Sequence, residues 1–102
     1  MNHKGYVYIV TSSNNSTLYI GVTSSLKRRL KEHAEGSGSV FTSHYCCKKL
    51  VYWEVYPDIE QAINREKRLK RYKRQWKKEL IESVNPEWED LGMMVAGDPE
   101  IV

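Results

Sequence analysis

The 102-residue chain reads as one α/β domain of the α+β kind: a three-stranded, largely antiparallel sheet flanked by helices, in the order β-β-α-β-α-α. Three observations predict this. Two short β-branched and aromatic runs, Tyr6–Val10 and Leu18–Ile20, are separated only by turn chemistry. A third such run, Leu50–Tyr56, stands between two stretches of helical periodicity. The strands also carry few charges, so the sheet is expected to be covered on both faces.

Taken in order, Thr11-Ser12-Ser13-Asn14-Asn15-Ser16-Thr17 joins the first two strands as an antiparallel hairpin. Thr23-Ser24-Ser25 offers hydroxyl N-caps for a helix from about Leu26 to Ala34 or Glu35, with Gly36 as its stop. Gly36-Ser37-Gly38-Ser39 reads as a flexible loop, and Val40 to Lys49 has no clear period. After the third strand, Pro57-Asp58 ends the extended run and Asp58 caps a long helix, about Ile59 to Ser83. That length in so small a domain predicts a break near Tyr72. Asn85-Pro86 terminates the helix, and Trp88 and Leu91 are expected to pack back on the body. The domain is therefore placed at residues 1–91, with 92–102 a flexible tail.

Composition excludes several classes. At 40% hydrophobic and 28% charged the chain resembles a folded domain, not a disordered one. No apolar run approaches the roughly 18 residues of a membrane span. Met1-Asn2-His3-Lys4 leads straight into a strand, so no signal peptide is visible and a cytoplasmic protein is expected, with no membrane partner. Adjacent Cys46 and Cys47 would form only a strained disulfide, and His44, Cys46 and Cys47 lack zinc-site spacing, so packing is their expected role. The formal charge of +3 decides little. Its distribution says more: residues 65–78 are basic and interleaved with aromatics, whereas Pro86–Val102 carries only acidic charge. That pattern fits phosphate contact, with a solvated helix face as the alternative.

Two polar residues fall on apolar stripes. At about 100° per residue, the first helix puts Leu26, Leu30 and Ala34 on one side, with Arg29 and His33 at its edge and Arg28 facing away. On the long helix Ala62, Leu69, Trp76, Leu80 and Val84 share a face, with Ile63, Tyr72 and Ile81 beside it, and Glu66 lies inside that stripe. An inward cation needs an acidic partner or a bound anion, and an inward carboxylate is either ion-paired or a ligand for a hard cation. Pairing of Glu66 with Arg29 or a nearby lysine is the plain structural reading.

Tyr6-Val7-Tyr8, with Tyr19-Ile20-Gly21 following so that Tyr19 stands eleven positions after Tyr8, and then Leu26-Lys27-Arg28-Arg29-Leu30, resembles the signature of the GIY-YIG nuclease superfamily. The resemblance runs from about Gly5 to Leu91 and is nearest to small stand-alone, single-domain (URI-type) members. It implies a metal-dependent endonuclease that hydrolyses nucleic acid phosphodiesters, structure-directed or weakly sequence-specific, using Mg²⁺ or Mn²⁺ and leaving 5′-phosphate and 3′-hydroxyl ends. Carried over by position, it makes Tyr8, Tyr19, Arg29 and His33 catalytic and Glu66 the metal ligand. Gly21 would allow close approach of the substrate, and Lys70, Lys73 and Arg74 would contact it. The nucleic acid partner is DNA in preference to RNA, DNA repair is the expected context, and no obligate protein partner is implied. In the family a second-motif tyrosine takes the water's proton and the arginine meets developing negative charge.

Two departures stand out. Tyr6 opens the first motif where the name-giving pattern has glycine. Val22 follows Gly21 where the repair-type nucleases carry a lysine near the tyrosine, leaving His33, Lys48 or Lys49 to replace it. A non-catalytic nucleic-acid binding module of the same fold is the second reading. A protein-interaction domain using exposed aromatics is the third.

Overall fold

The computed structural model describes residues 4–36 and 40–102. Its elements run β1 (Gly5–Thr11), β2 (Leu18–Thr23), α1 (Leu26–Ala34), α2 (Val40–His44), β3 (Lys49–Tyr56), α3 (Ile59–Lys70), α4 (Arg74–Val84) and α5 (Gly92–Ala96). The three strands form one antiparallel sheet in the order β2-β1-β3. The predicted fold class holds, with two five-residue helices, α2 and α5, added to the expected order. Residues 37–39 of the expected Gly/Ser loop lie outside the described residues. Among the described residues no helix is long and apolar enough to cross a membrane.

β1 is buried along its whole length, which is why Tyr6–Val10 is aliphatic or aromatic throughout rather than alternating with charged residues. Its two sets of side chains build two cores. Val7 and Ile9 join Ile20, Val51, Tyr52, Ala62, Leu69 and Ile81 on the α3 side. Tyr6, Tyr8 and Val10 join Leu26, Leu50, Val95 and Ile101 on the opposite side. Gly5 is needed for this approach, because a Cβ there would lie 2.6 Å from the Ala62 Cβ of α3.

Asp58 caps α3 as expected, its side chain accepting from the Gln61 N–H at 2.9 Å. The expected break falls at residues 71–73, between α3 and α4, where Lys73 is extended. This break corrects the helical face read through it. Ala62, Leu69 and Ile81 are buried, but Trp76 and Val84 are 50% and 66% exposed. A phase counted continuously across an interrupted helix no longer describes the far side.

Two further expectations change. The hydroxyls before α1 do not cap it: Ser25 holds the N-cap position without a side-chain bond. The Lys27 N–H donates instead to the Val102 carbonyl at 3.1 Å. That contact belongs to the second change, in the segment expected to be a flexible tail. Residues 92–102 fold back on β1 and α1, with Val95 and Ile101 buried, the Val102 N–H donating to the Tyr6 hydroxyl and Lys27 Nζ donating to the Asp98 carbonyl. Its apolar residues have a groove to fill, which its acidic charge obscured in the sequence. Asn85, expected as a helix stop, also ties α4 to the sheet by donating to the Val51 carbonyl at 3.0 Å.

Candidate active site

Antiparallel pairing sets Tyr8 directly opposite Gly21. Tyr19, Gly21 and Thr23 alternate onto the same face as Tyr8, because successive strand side chains point to opposite sides. The Tyr8 ring lies across Gly21. A Cβ on Gly21 would collide with Tyr8 Cζ and Oη. The missing side chain therefore makes room for the first-motif tyrosine.

Tyr8 is almost fully buried, and its hydroxyl is 3.0 Å from His33 Nε2. The other ring nitrogen of His33, Nδ1, is 3.1 Å from the Thr42 hydroxyl. Arg29 and His33, four residues apart on α1, share the helix side turned toward the tyrosines, while Arg28 is exposed. The Tyr19 ring meets both partners, with centroids 6.5 Å from Tyr8 and 6.0 Å from His33. Three of the four expected catalytic side chains are thus in mutual ring contact. The fourth, Arg29, pairs with Glu32 at 3.4 Å.

The electrostatics follow from this packing. Burial pushes the Tyr8 phenol well above its usual range, reinforced by Tyr19 and opposed by the Arg29 cation; Glu32 and Glu66 add smaller upward pushes. Burial also holds His33 below the ordinary histidine value of 6.5, and Arg29 adds to the effect while Glu32 opposes it. At neutral pH the pair is therefore a neutral phenol beside a neutral imidazole.

Glu66 is more remote. Its carboxylate pairs with Lys70 at 3.3 Å, one turn along α3, and not with Arg29. Its charge is the smallest of the influences named on Tyr8. Among the described residues no group of three or more His, Cys, Asp or Glu could cage a metal. A single carboxylate, 15% exposed and neutralised only by a lysine that is itself half in solvent, suits a hard cation that keeps most of its water, as Mg²⁺ does. It does not suit zinc.

The remaining expected residues separate. Val22 projects to the α3 side and packs on the Val7–Ile9 core, opposite to Tyr19, so valine there removes no cation from Tyr19's own face. Lys49 pairs with Thr11 at the far end of β1, three residues from Tyr8, and Lys48 faces grooves that no tyrosine of the cluster lines. Neither replaces the lysine; His33 does contact the cluster. Lys70 is paired with Glu66, and Lys73 lies over the Trp76 ring at 5.7 Å. Arg74 donates to the Asn15 and Ser16 carbonyls at 3.2 and 2.9 Å, so it holds the β1–β2 turn. Cys46 is exposed and Cys47 buried, both as free thiols.

Thr42, which holds His33, and Phe41, which stacks on Tyr19 at 5.7 Å, were not marked in the sequence. They come from the aperiodic 40–49 stretch, where no pattern identifies them. Glu32 was legible as the residue three after Arg29.

Comparison with known proteins agrees with this arrangement. The GIY-YIG catalytic domain matches residues 4–79. A UPF0213 protein of Haloquadratum walsbyi is 39% identical over 82 residues, spanning 80% of this chain and 91% of its own. One from Streptococcus pneumoniae is 37% identical over 81 residues, spanning 79% and 81%. The solution NMR structure of the UPF0213 protein BH0048 from Bacillus halodurans superposes with a TM-score of 0.55 at 26% identity, covering 97% of this chain and 99% of that one.

Proposed function

Because this chain belongs to the GIY-YIG family, among its small single-domain UPF0213 members, we propose that it is a metal-dependent endonuclease hydrolysing nucleic acid phosphodiesters, DNA in preference to RNA. The observation that carries this reading is the cluster of Tyr8, Tyr19 and His33 with Arg29 acting on both Tyr8 and His33.

Hydrolysis needs a proton taken from water, donors for the phosphorane oxygens and help for the leaving oxygen. Tyr19, only half-buried, is the phenol positioned to meet a substrate. Tyr8 lies behind it as a neutral O–H. His33 is kept neutral and so has a lone pair to receive a proton, with Thr42 fixing the ring from its other side. Arg29, a permanent cation, is the donor for negative charge that grows on the phosphate, and Glu32 holds it in place meanwhile. Glu66 would hold a hydrated Mg²⁺ or Mn²⁺ after Lys70 swings into solvent, and such an ion supplies Lewis-acid polarisation of the phosphate and leaving oxygen.

The test is a labelled panel of single strands, flaps and branched duplexes, incubated with Mg²⁺ or Mn²⁺ and either the wild type or Glu66→Gln. Cleavage by the wild type alone is expected. Equal cleavage by both proteins sinks the metal assignment. Binding without cleavage under any divalent ion favours the second reading, a nucleic-acid binding module.

A further inference from the structure

Resting on the nucleolytic reading above, we propose that Phe41 and Tyr45 extend the Tyr19 ring into a stacking platform for an unpaired nucleobase next to the scissile phosphate, so that single-stranded nucleic acid is the preferred substrate.

The platform is a row of rings that starts inside the reaction cluster and ends in solvent. Tyr19 and Phe41 stack with centroids 5.7 Å apart and planes 30° apart. Phe41 and Tyr45 follow at 4.8 Å, and His44 meets the edge of Tyr45 at 4.7 Å. Phe41 is the chain's single phenylalanine, yet it is 42% exposed, and Tyr45 is 47% exposed. Aromatic side chains normally contribute to stability by leaving water. Here two of them keep much of their surface outside although Thr42, on the same short helix as Phe41, is buried.

The backbone presents them that way. Thr42 is buried against His33, which pins α2 to the reaction cluster by its inward residue. Phe41 and Tyr45, four apart and joined by the Tyr45 N–H to Phe41 carbonyl bond at 3.1 Å, fall together on the outward side. Cys46 then takes a left-handed conformation, φ 54°, turning the chain so that Cys47 is buried and Tyr45 stays at the surface.

A nucleobase is the occupant this geometry favours. Whatever lies on Phe41 is one ring from Tyr19, which itself contacts Tyr8 and His33, and a nucleotide carries a flat π-face and a phosphate on one short frame. In a duplex both faces of each base are already covered by its neighbours. A side-chain ring can therefore stack only on a base that is unpaired, terminal or extruded. Stacking of this kind accepts any base, because every base has a π-face. The plain alternative is that Phe41 only shields Tyr19, in which case Tyr45 is dispensable.

The experiment uses the full chain in EDTA, so that binding is read without cleavage, with 2-aminopurine in a single strand and in the matching duplex. Quenching of the single strand by the wild type is expected. Tyr45→Ala should weaken single-strand binding roughly tenfold and remove the quench, with duplex affinity unchanged. Phe41→Leu, which keeps an apolar cover on Tyr19 but no π-face, should behave likewise, and Tyr45→Phe should retain both signals. Should Phe41→Leu fail to fold, the surface pair Tyr45→Ala and Tyr45→Phe decides alone.

The platform is overturned if these variants bind the single strand as the wild type does, if single strand and duplex lose affinity equally, or if the wild type does not quench. A parallel cleavage assay separates the two ideas. Quenching without any cleavage supports the platform and refutes the nuclease, whereas cleavage without quenching refutes the platform alone.

Discussion

Gly21→Ala separates two explanations of the same glycine. If Gly21 exists to admit a substrate, alanine should leave the unbound protein's stability unchanged or slightly raised. In the structure the new Cβ collides with Tyr8 Cζ and Oη, and Tyr8 is 2% exposed with its hydroxyl held by His33. Overpacking a buried site costs about 1–3 kcal/mol, and breaking the Tyr8–His33 hydrogen bond adds about 1 kcal/mol. Loss of glycine's backbone freedom returns about 0.5–1 kcal/mol. The net is a destabilisation of about 2 kcal/mol, equivalent to a fall in Tm of about 8–16 °C for a domain of this size. Denaturant titration and thermal unfolding measure it directly. In a Tyr8→Phe background, where the hydroxyl, one of the three ring atoms within 3.0 Å of the new Cβ, is gone together with its bond to His33, the penalty should shrink by about 1 kcal/mol, a coupling that a double-mutant cycle isolates. An unchanged Tm, or additive effects of the two substitutions, would refute the argument that Gly21 makes space for Tyr8.

Three other outcomes are expected. Because burial holds His33 below the ordinary value of 6.5, its contribution is present above that pH and is lost as pH falls through the lower folded value. Urea midpoints should therefore drop between pH 7.5 and 5, and His33→Gln should flatten that slope; an unaltered slope would mean another group titrates. Arg74→Ala, which removes both bonds to the Asn15 and Ser16 carbonyls, should lower stability by about 1 kcal/mol and speed amide exchange at residues 12–17. Weaker nucleic acid binding with an undisturbed turn would reverse that assignment. Glu54 accepts from Arg65 at 3.0 Å through each oxygen and also from the Tyr52 and Tyr56 hydroxyls, so Glu54→Ala strands a half-buried guanidinium. We expect a loss of about 2–3 kcal/mol, below the 3–5 kcal/mol of fully buried pairs because both partners keep some solvent. Equal stability of Glu54→Ala and the wild type would show that the pair is mere surface charge.

Much of this was legible in the sequence where local pattern and fold agree. β1 reads as a doubly covered strand because every residue of Tyr6–Val10 is apolar or aromatic, and it is one. Asp58 is a cap by residue type and by position. Arg29 rather than Arg28 turns inward because helical spacing allows only one of two neighbours to do so. What escaped depends on relations no local pattern encodes. The role of Gly21 emerges only once pairing puts it opposite Tyr8. Thr42 is tied to His33 across a stretch with no period. Trp76 and Val84 were misplaced because a three-residue interruption resets the helical phase. The 92–102 segment was misread because its buried residues, Val95 and Ile101, are too sparse among acidic and small ones to form a stripe.

The fold-back of that last segment has a consequence for the order in which the molecule can be completed. The strands bearing Tyr8 and Tyr19 and the helix bearing Arg29 and His33 leave the ribosome early, with the first turn of that helix still lacking its acceptor. The acceptor arrives with Val102, and the hydroxyl of Tyr6 waits for an N–H 96 positions away. A closure over so much chain is slow to form, since its loop entropy precedes any gain from contact. A nascent chain therefore can join the tyrosine hairpin to the arginine helix through Tyr8 and His33, 25 positions apart, before the 92–102 segment closes over Tyr6 and Lys27.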